Sequence, residues 1–247
     1  MLMKKWICLL SLLAMSAPYS WGQTELTAAG NDLYDTGWSS AGAFQSNSNL
    51  EDGHYILESI TPDAIPPTVT LPGPTYGVTN AEVTAASWTQ ANSATGSING
   101  SGQTVGANWI SFSASTNIQA NVENVFDYRL SLTNIPVGAI VTITGNFGGD
   151  DSVSVFADGS STALFTNPNW GTSATGTFTF TADGADYLDF DVTNDNNSGG
   201  YTGLYVDDLT GSYTAVPEPR EWSALVLLGL AAVVVVRKLR GISLRSA

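Results

Sequence analysis

An antiparallel β-sandwich is the fold predicted by this sequence of 247 residues, and three observations predict it. In several short runs the apolar residues recur at every second position, which buries one face of a strand and leaves the other wet. Turn-forming pairs, Asp158-Gly159, Asp183-Gly184 and Gly199-Gly200, fall between or beside those runs. The composition is poor in charge, at 12%, and rich in Gly, Thr, Ser and Asn, and no stretch away from the two ends carries a helical period. The expected architecture is therefore all-β, with two packed antiparallel sheets, flanked by an N-terminal signal helix and a C-terminal transmembrane helix.

The first element, Met1–Gly22, has Lys4 and Lys5, then the apolar stretch Trp6–Ala14, then Ser20-Trp21-Gly22 before Gln23. That order reads as a secretory signal peptide cut after Gly22. Cys8, the one cysteine, lies inside the apolar stretch and leaves with it. The mature chain then has no disulfide, no thiol nucleophile and no thiolate metal site.

Residues 23–214 are long enough for one domain with its own core. Before residue 105 the pattern is loose, and Pro62, Pro66, Pro67, Pro72 and Pro74 make Thr61–Thr75 an extended connection or an edge strand. Beyond it the alternation is clear at Tyr128–Leu132, Val141–Thr144, Val153–Val155, Thr177–Thr181 and Leu188–Thr193. Asp189 and Asp191 fall in the outward phase of the last run and are expected to form a solvated acidic row.

The order of parts carries a resemblance. Asn31–Gly37, the step Asp52-Gly53-His54-Tyr55, Asn108-Trp109-Ile110-Ser111, Tyr128–Leu132, Gly149-Asp150-Asp151 and Gly203-Leu204-Tyr205-Val206 follow one another. This layout resembles jelly-roll domains of the galactose-binding type. The resemblance implies a jelly roll and contact with a glycan.

Charge restricts the partners. Of the 22 acids all but Glu218 and Glu221 fall between Glu25 and Asp208, whereas Arg129 is the lone base there, so the body carries about −19. Nucleic acids and anionic lipid surfaces are repelled and drop out as partners. Solubility outside the cell and the binding of cations are favoured.

Catalysis finds little support. His54 is the only histidine, which leaves the proton shuttle of a Ser-His-Asp hydrolase to one residue that reads as structural or exposed. Histidine-rich zinc sites, a Walker loop and a dinucleotide fingerprint are all missing from the sequence. A pair of carboxylates for glycoside cleavage needs only two suitably placed acids. Calcium is the candidate cofactor, because it takes six to eight oxygens and the loop edges Asp150-Asp151 and Asp207-Asp208 are dense in them. For glycan stacking the candidate is Trp170, lifted on Asn167-Pro168-Asn169-Trp170-Gly171, with Asn169 reading hydroxyls and Tyr201 as a second ring. Trp109 falls in an apolar phase and is expected in the core, while Trp38 and Trp88 could lie on either side.

The last element is residues 215–247. Pro217 and Pro219 bracket Glu218 and hold the chain extended. The apolar run at 222–236 follows, about 22 Å long as a helix against a hydrocarbon core of about 30 Å. It can span if Trp222 sits at one interface and Arg237, Lys238 and Arg240 snorkel at the other, which keeps the basic cluster cytoplasmic. Extended Pro-Glu-Pro, marginal span and basic stop together resemble the PEP-CTERM sorting signal of Gram-negative bacteria. The resemblance implies recognition of Pro217-Glu218-Pro219 by a membrane-embedded exosortase, which cuts there and releases or re-attaches the protein. Gly241–Ala247 extend past the arginines, where such tails usually stop, and no sortase motif Leu-Pro-x-Thr-Gly is present.

The expected protein is thus exported by the secretion machinery, tethered to the inner membrane before processing, and then placed on the surface or outside the cell. Its expected role is non-catalytic, as a matrix or envelope component in contact with exopolysaccharide. The alternatives are a structural surface-layer protein without a ligand and a carboxylate-based glycosidase or lyase.

Overall fold

The computed structural model describes residues 22–45, 50–61, 79–83, 96–112, 124–170, 172–194, 202–216, 227 and 229–235. Gln23–Thr214 forms one compact unit. Its strands are β1 (Gln23–Leu26), β2 (Glu51–Thr61), β3 (Thr79–Val83), β4 (Ser97–Ile98), β5 (Thr104–Val105), β6 (Ile110–Ser111), β7 (Asn124–Ser131), β8 (Ile140–Asp150), β9 (Ser152–Ala157), β10 (Phe165–Asn167), β11 (Ala174–Thr181), β12 (Tyr187–Asn194) and β13 (Gly203–Thr214). All their pairings are antiparallel, in the order β10-β9-β12-β7-β2-β3-β6-β13-β8-β11, with β1 added on β13 and β4–β5 a separate hairpin.

This ribbon of strands folds over on itself into a sandwich-like arrangement, and Phe147 marks the closure. It lies on β8 with no exposed surface, and its ring stands 6.2 Å from Phe190 of β12, 5.8 Å from Phe178 and 5.3 Å from Phe165. Alternation produces this core directly. On β8 Val141, Ile143 and Phe147 point in while Thr142, Thr144 and Asn146 are more open; on β7 Phe126, Tyr128 and Leu130 point in. The five runs singled out by their period all lie in strands β7, β8, β9, β11 and β12, apart from Leu132 just beyond β7.

A second feature ties the N-terminal segments to β13. Asp52, fully buried, accepts backbone N–H bonds from Gly37 at 2.6 Å, His54 at 2.8 Å and Tyr55 at 2.9 Å. Thr36 N donates to Val206 O, and Asn108 N donates to Thr36 O, each at 3.0 Å. Gly37, at φ 89°, packs so close to Asn108 that an added Cβ would lie 2.8 Å from that side chain. Segments far apart in sequence, at 31–37, 52–55, 108–111 and 203–206, thereby meet.

Two elements go beyond what the sequence pattern announces. A single helical turn, α1 (Ala28–Asn31), interrupts the body; the Thr27 hydroxyl caps it by accepting Gly30 N, and Asp32 ends it in the left-handed region at φ 57°. The stretch before residue 105 also contains an eleven-residue strand, β2, which pairs with β7 through a register shift.

Beyond the body, Leu227 and residues 229–235 are helical, and Leu227, Leu230, Val233, Val234 and Val235 are more than half exposed. Among the described residues no helix is long and apolar enough to cross a membrane. The signal at residues 1–21, Pro217, Glu218, Pro219, Arg237, Lys238 and Arg240 lie outside the described residues, as does most of Thr61–Thr75.

Candidate functional site

The connection from β10 to β11 begins with a buried polar residue. Asn167, 1% exposed, donates its amide to Phe147 O at 3.0 Å and to Thr172 O at 2.8 Å. Its Oδ1 accepts the backbone N–H of Asn169 at 3.1 Å and the Asn169 side-chain amide at 3.3 Å. One side chain thus fixes both ends of the loop to the sheet. Asn169 itself is exposed, and Trp170 follows with 62% of its surface open. A ring carried on so braced a loop loses little freedom when a flat ligand stacks on it. Tyr201 lies outside the described residues, and so does Trp88. Trp109 is fully buried against Tyr205, and Trp38 is buried with its Nε1 donating to Gly106 O at 3.0 Å.

A cleft of about 440 Å³ opens on the outer side of β1, β13 and β8, lined by Gln23, Glu25, Gln103, Thr142, Thr144 and Ser212 among others. The lining is made of hydroxyls, amides and one carboxylate. The amide of Gln23 donates to the Ser212 hydroxyl diagonally across the β1–β13 pair, in which Ser212 itself opposes Glu25.

The acids do not gather where the sequence suggested. Asp150 pairs with Gly203 at the end of β8, and Asp151 begins the crossing to β9, its N–H bonded to Thr193 O at 2.6 Å. Asp207 instead opposes Asn146, four residues back along β8, so the two pairs are separated by roughly 13 Å of strand. Asp207 accepts the Tyr205 hydroxyl at 2.9 Å, and Asp208, at φ 54° in the bulge, accepts the Asn146 amide at 3.1 Å. Their neighbour is Asp35, fully buried, which accepts Leu209 N at 2.8 Å. Burial holds the Asp35 carboxyl well above the usual range, and Asp207 and Asp208 add to this.

Three other carboxylates do converge. Asp158, in the turn after β9, meets Asp183 and Asp186 from the turn between β11 and β12, with one oxygen of each within 4.8 Å of the others. Asp158 Oδ1 accepts Tyr187 N at 3.0 Å, and Oδ2 is buried without a hydrogen-bond partner. Burial, with Asp186 and Asp183 close by, raises Asp158 to about 6. Asp158-Gly159 was legible as a turn; its meeting with a second turn was not.

Asp189 and Asp191 face outward from β12, but they are not the free row expected. Arg129 bonds Asp189 at 2.8 Å and Glu58 at 3.2 Å and lies 3.9 Å over the Tyr187 ring, leaving Asp189 9% exposed. Asp127 and Asp191 oppose each other on one rung of β7 and β12. Burial, then Asp189 and Asp191, raises Asp127 to about 7. These two carboxyls stand side by side on a sheet face instead of across a cleft, as an acid and base for glycoside cleavage would. His54 stacks on Tyr34 at 3.5 Å and bonds Ser39 O at 2.9 Å; burial lowers its basicity.

No protein-family model matches this chain, and no curated protein is significantly similar to it.

Proposed function

We propose that this chain is an exported, non-catalytic protein whose sandwich, jelly-roll-like in its winding, contacts exopolysaccharide in the matrix or envelope outside the cell. The observation that carries the proposal is Trp170, 62% exposed on a loop that the buried Asn167 pins to β8. An aromatic face open to solvent is the stacking surface that sugar C–H groups require, and Asn169 beside it offers an amide for hydroxyls. The sequence of residues 215–247 supports the destination: Pro217-Glu218-Pro219, the apolar run and the basic stop Arg237, Lys238 and Arg240 fit an exosortase substrate tethered through residues 222–236. The test is affinity electrophoresis of the full chain in gels containing the exopolysaccharide of the producing cells. Retardation is expected, and Trp170→Ala abolishes it with the melting temperature unchanged. No retardation of the native chain removes the glycan reading and leaves a structural surface-layer component.

The calcium reading moves from Asp150, Asp151, Asp207 and Asp208 to Asp158, Asp183 and Asp186. There two turns present carboxylate oxygens to one point, and one buried oxygen lacks a partner. Melting with calcium and with chelator tests it: calcium is expected to raise the transition, and Asp183→Asn to remove the difference. Equal transitions in the native chain overturn it.

A further inference from the structure

The two outer faces of the sandwich carry different chemistry. On β2, β7 and β12 the outward side chains include Glu58, Asp127, Arg129, Asp189 and Asp191. On β11 they are Thr175, Thr177, Thr179 and Thr181, all exposed, which oppose in turn Asn146, Thr144, Thr142 and the exposed Ile140 on β8; one strand further, Thr210 and Ser212 of β13 oppose Thr144 and Thr142. Two rungs therefore read Thr177-Thr144-Thr210 and Thr179-Thr142-Ser212, and the second runs on to Glu25 of β1. With strands about 4.8 Å apart and same-face residues about 6.8 Å apart, the hydroxyls form a net of about 5 by 7 Å.

We propose that this hydroxyl-lined face of β11, β8 and β13, with the cleft at its β1 side, binds a neutral polysaccharide chain. The proposal rests on the glycan reading above and adds the class of glycan and the surface that takes it. A threonine hydroxyl both donates and accepts, as a sugar hydroxyl does. The Thr144 and Thr177 hydroxyls bond each other at 2.9 Å, and Thr175 bonds Asn146 at 2.6 Å, so each is oriented while keeping further bonding positions. Charge sets the class of chain. Among the described residues this face carries no fixed cation, Glu25 lines its cleft and Asp208 its rim, and the whole body is acidic, so an anionic polymer is repelled and a neutral one is not. Desolvation agrees: covering hydroxyls costs less than stripping water from Arg129 and four carboxylates. The loop that carries Trp170 precedes β11, and its anchor Asn167 bonds Phe147 O, one residue along β8 from the Thr175-Asn146 rung, so the loop is tied to β8 next to one end of this face. A regular hydroxyl lattice could also meet ice, but the register shift between Asp207 and Thr210 and the cleft break its flatness.

The test uses the full chain in detergent and gels containing mannan, galactan or β-glucan as neutral probes and alginate or polygalacturonate as anionic ones. Retardation by at least one neutral polymer and by neither anionic one is expected. Thr142→Val with Ser212→Ala removes two hydroxyls and is expected to weaken retention by about tenfold or more. Thr177→Val, on the outermost strand, is the second variant, with the same direction of change should the first fail to fold. Retention by anionic polymers alone, unchanged retention in both hydroxyl variants, or inhibition of ice recrystallisation without polymer binding overturns the proposal. Loss of retention in Trp170→Ala with full retention in the hydroxyl variants sinks this face and spares the Trp170 reading. Absence of retention by every one of these polymers sinks this face, and the glycan reading falls with it only where the exopolysaccharide of the producing cells also fails to retard the native chain.

Discussion

Single residues decide where the acid of this chain is tolerated. Asp127 is the clearest case, since burial and its neighbours Asp189 and Asp191 raise it to about 7 from the 3.8 of an ordinary carboxyl. Below 3.8 the group is neutral in both the folded and the unfolded chain. As pH climbs from there to about 7 the unfolded chain ionises first, so the stability the group lends is lost across that window. Asp127→Asn is therefore expected to raise the melting temperature at pH 8 by a few degrees, since Asp127 is partly open and screened, and to change little at pH 3.5. Equal shifts at the two pH values would contradict it. Little of this is written in the sequence. Period two places Asp127, Asp189 and Asp191 outward, but the cover that Arg129 and Tyr187 give Asp189 depends on which strands become neighbours. Asp52 lies deeper still. No local pattern announces that an acid will be buried to collect three N–H groups from residues 37, 54 and 55. The exposure of Trp170, by contrast, followed from Asn-Pro-Asn before it and Gly after it, and the burial of Trp109 from its apolar phase.

At the scale of elements, alternation was a sufficient guide wherever a strand kept one register. β7, β8, β9, β11 and β12 were legible for that reason. β2 was not, because its pairings with β3 and β7 shift register and no single phase runs through Glu51–Thr61. α1 escaped because one turn, held by the Thr27 cap, is too short for a period. The loop after β10 makes a sharp prediction. Asn167→Ala leaves Phe147 O and Thr172 O without their donor, at about 1–3 kcal/mol each, and a domain of this size loses roughly 2–4 °C per kcal/mol. A fall of at least 4 °C with weaker glycan retention is expected from calorimetry and affinity gels together. A stable variant that still binds would detach Trp170 from its brace. At the start of β2, a Cβ on Gly53 would lie 1.8 Å from Ser40 N, which is backbone and cannot step aside. Gly53→Ala is expected to abolish the cooperative transition in circular dichroism; a normal melt would mean that the 39–53 contact rearranges freely.

For the whole molecule, the sandwich was foreseeable from composition, turn pairs and period, whereas the order of its strands was not. That order depends on pairs such as β13 with β8 and β12 with β9, set by packing around Phe147 and Phe190 and not by neighbours in sequence. Phe147→Ala is expected to cost about 3–5 kcal/mol, read as a large shift in the denaturant midpoint. The central claim concerns destination: an acidic sandwich exported through residues 1–22 and cut free of residues 215–247. The most direct measurement is intact mass and terminal sequencing of the protein recovered from the culture medium or cell surface. The result expected is a chain that begins at Gln23 and ends at or before the Pro217-Glu218-Pro219 stretch. Recovery of an extracellular form that still carries Arg237 through Ala247, or of the polypeptide in the cytosol alone, would contradict it.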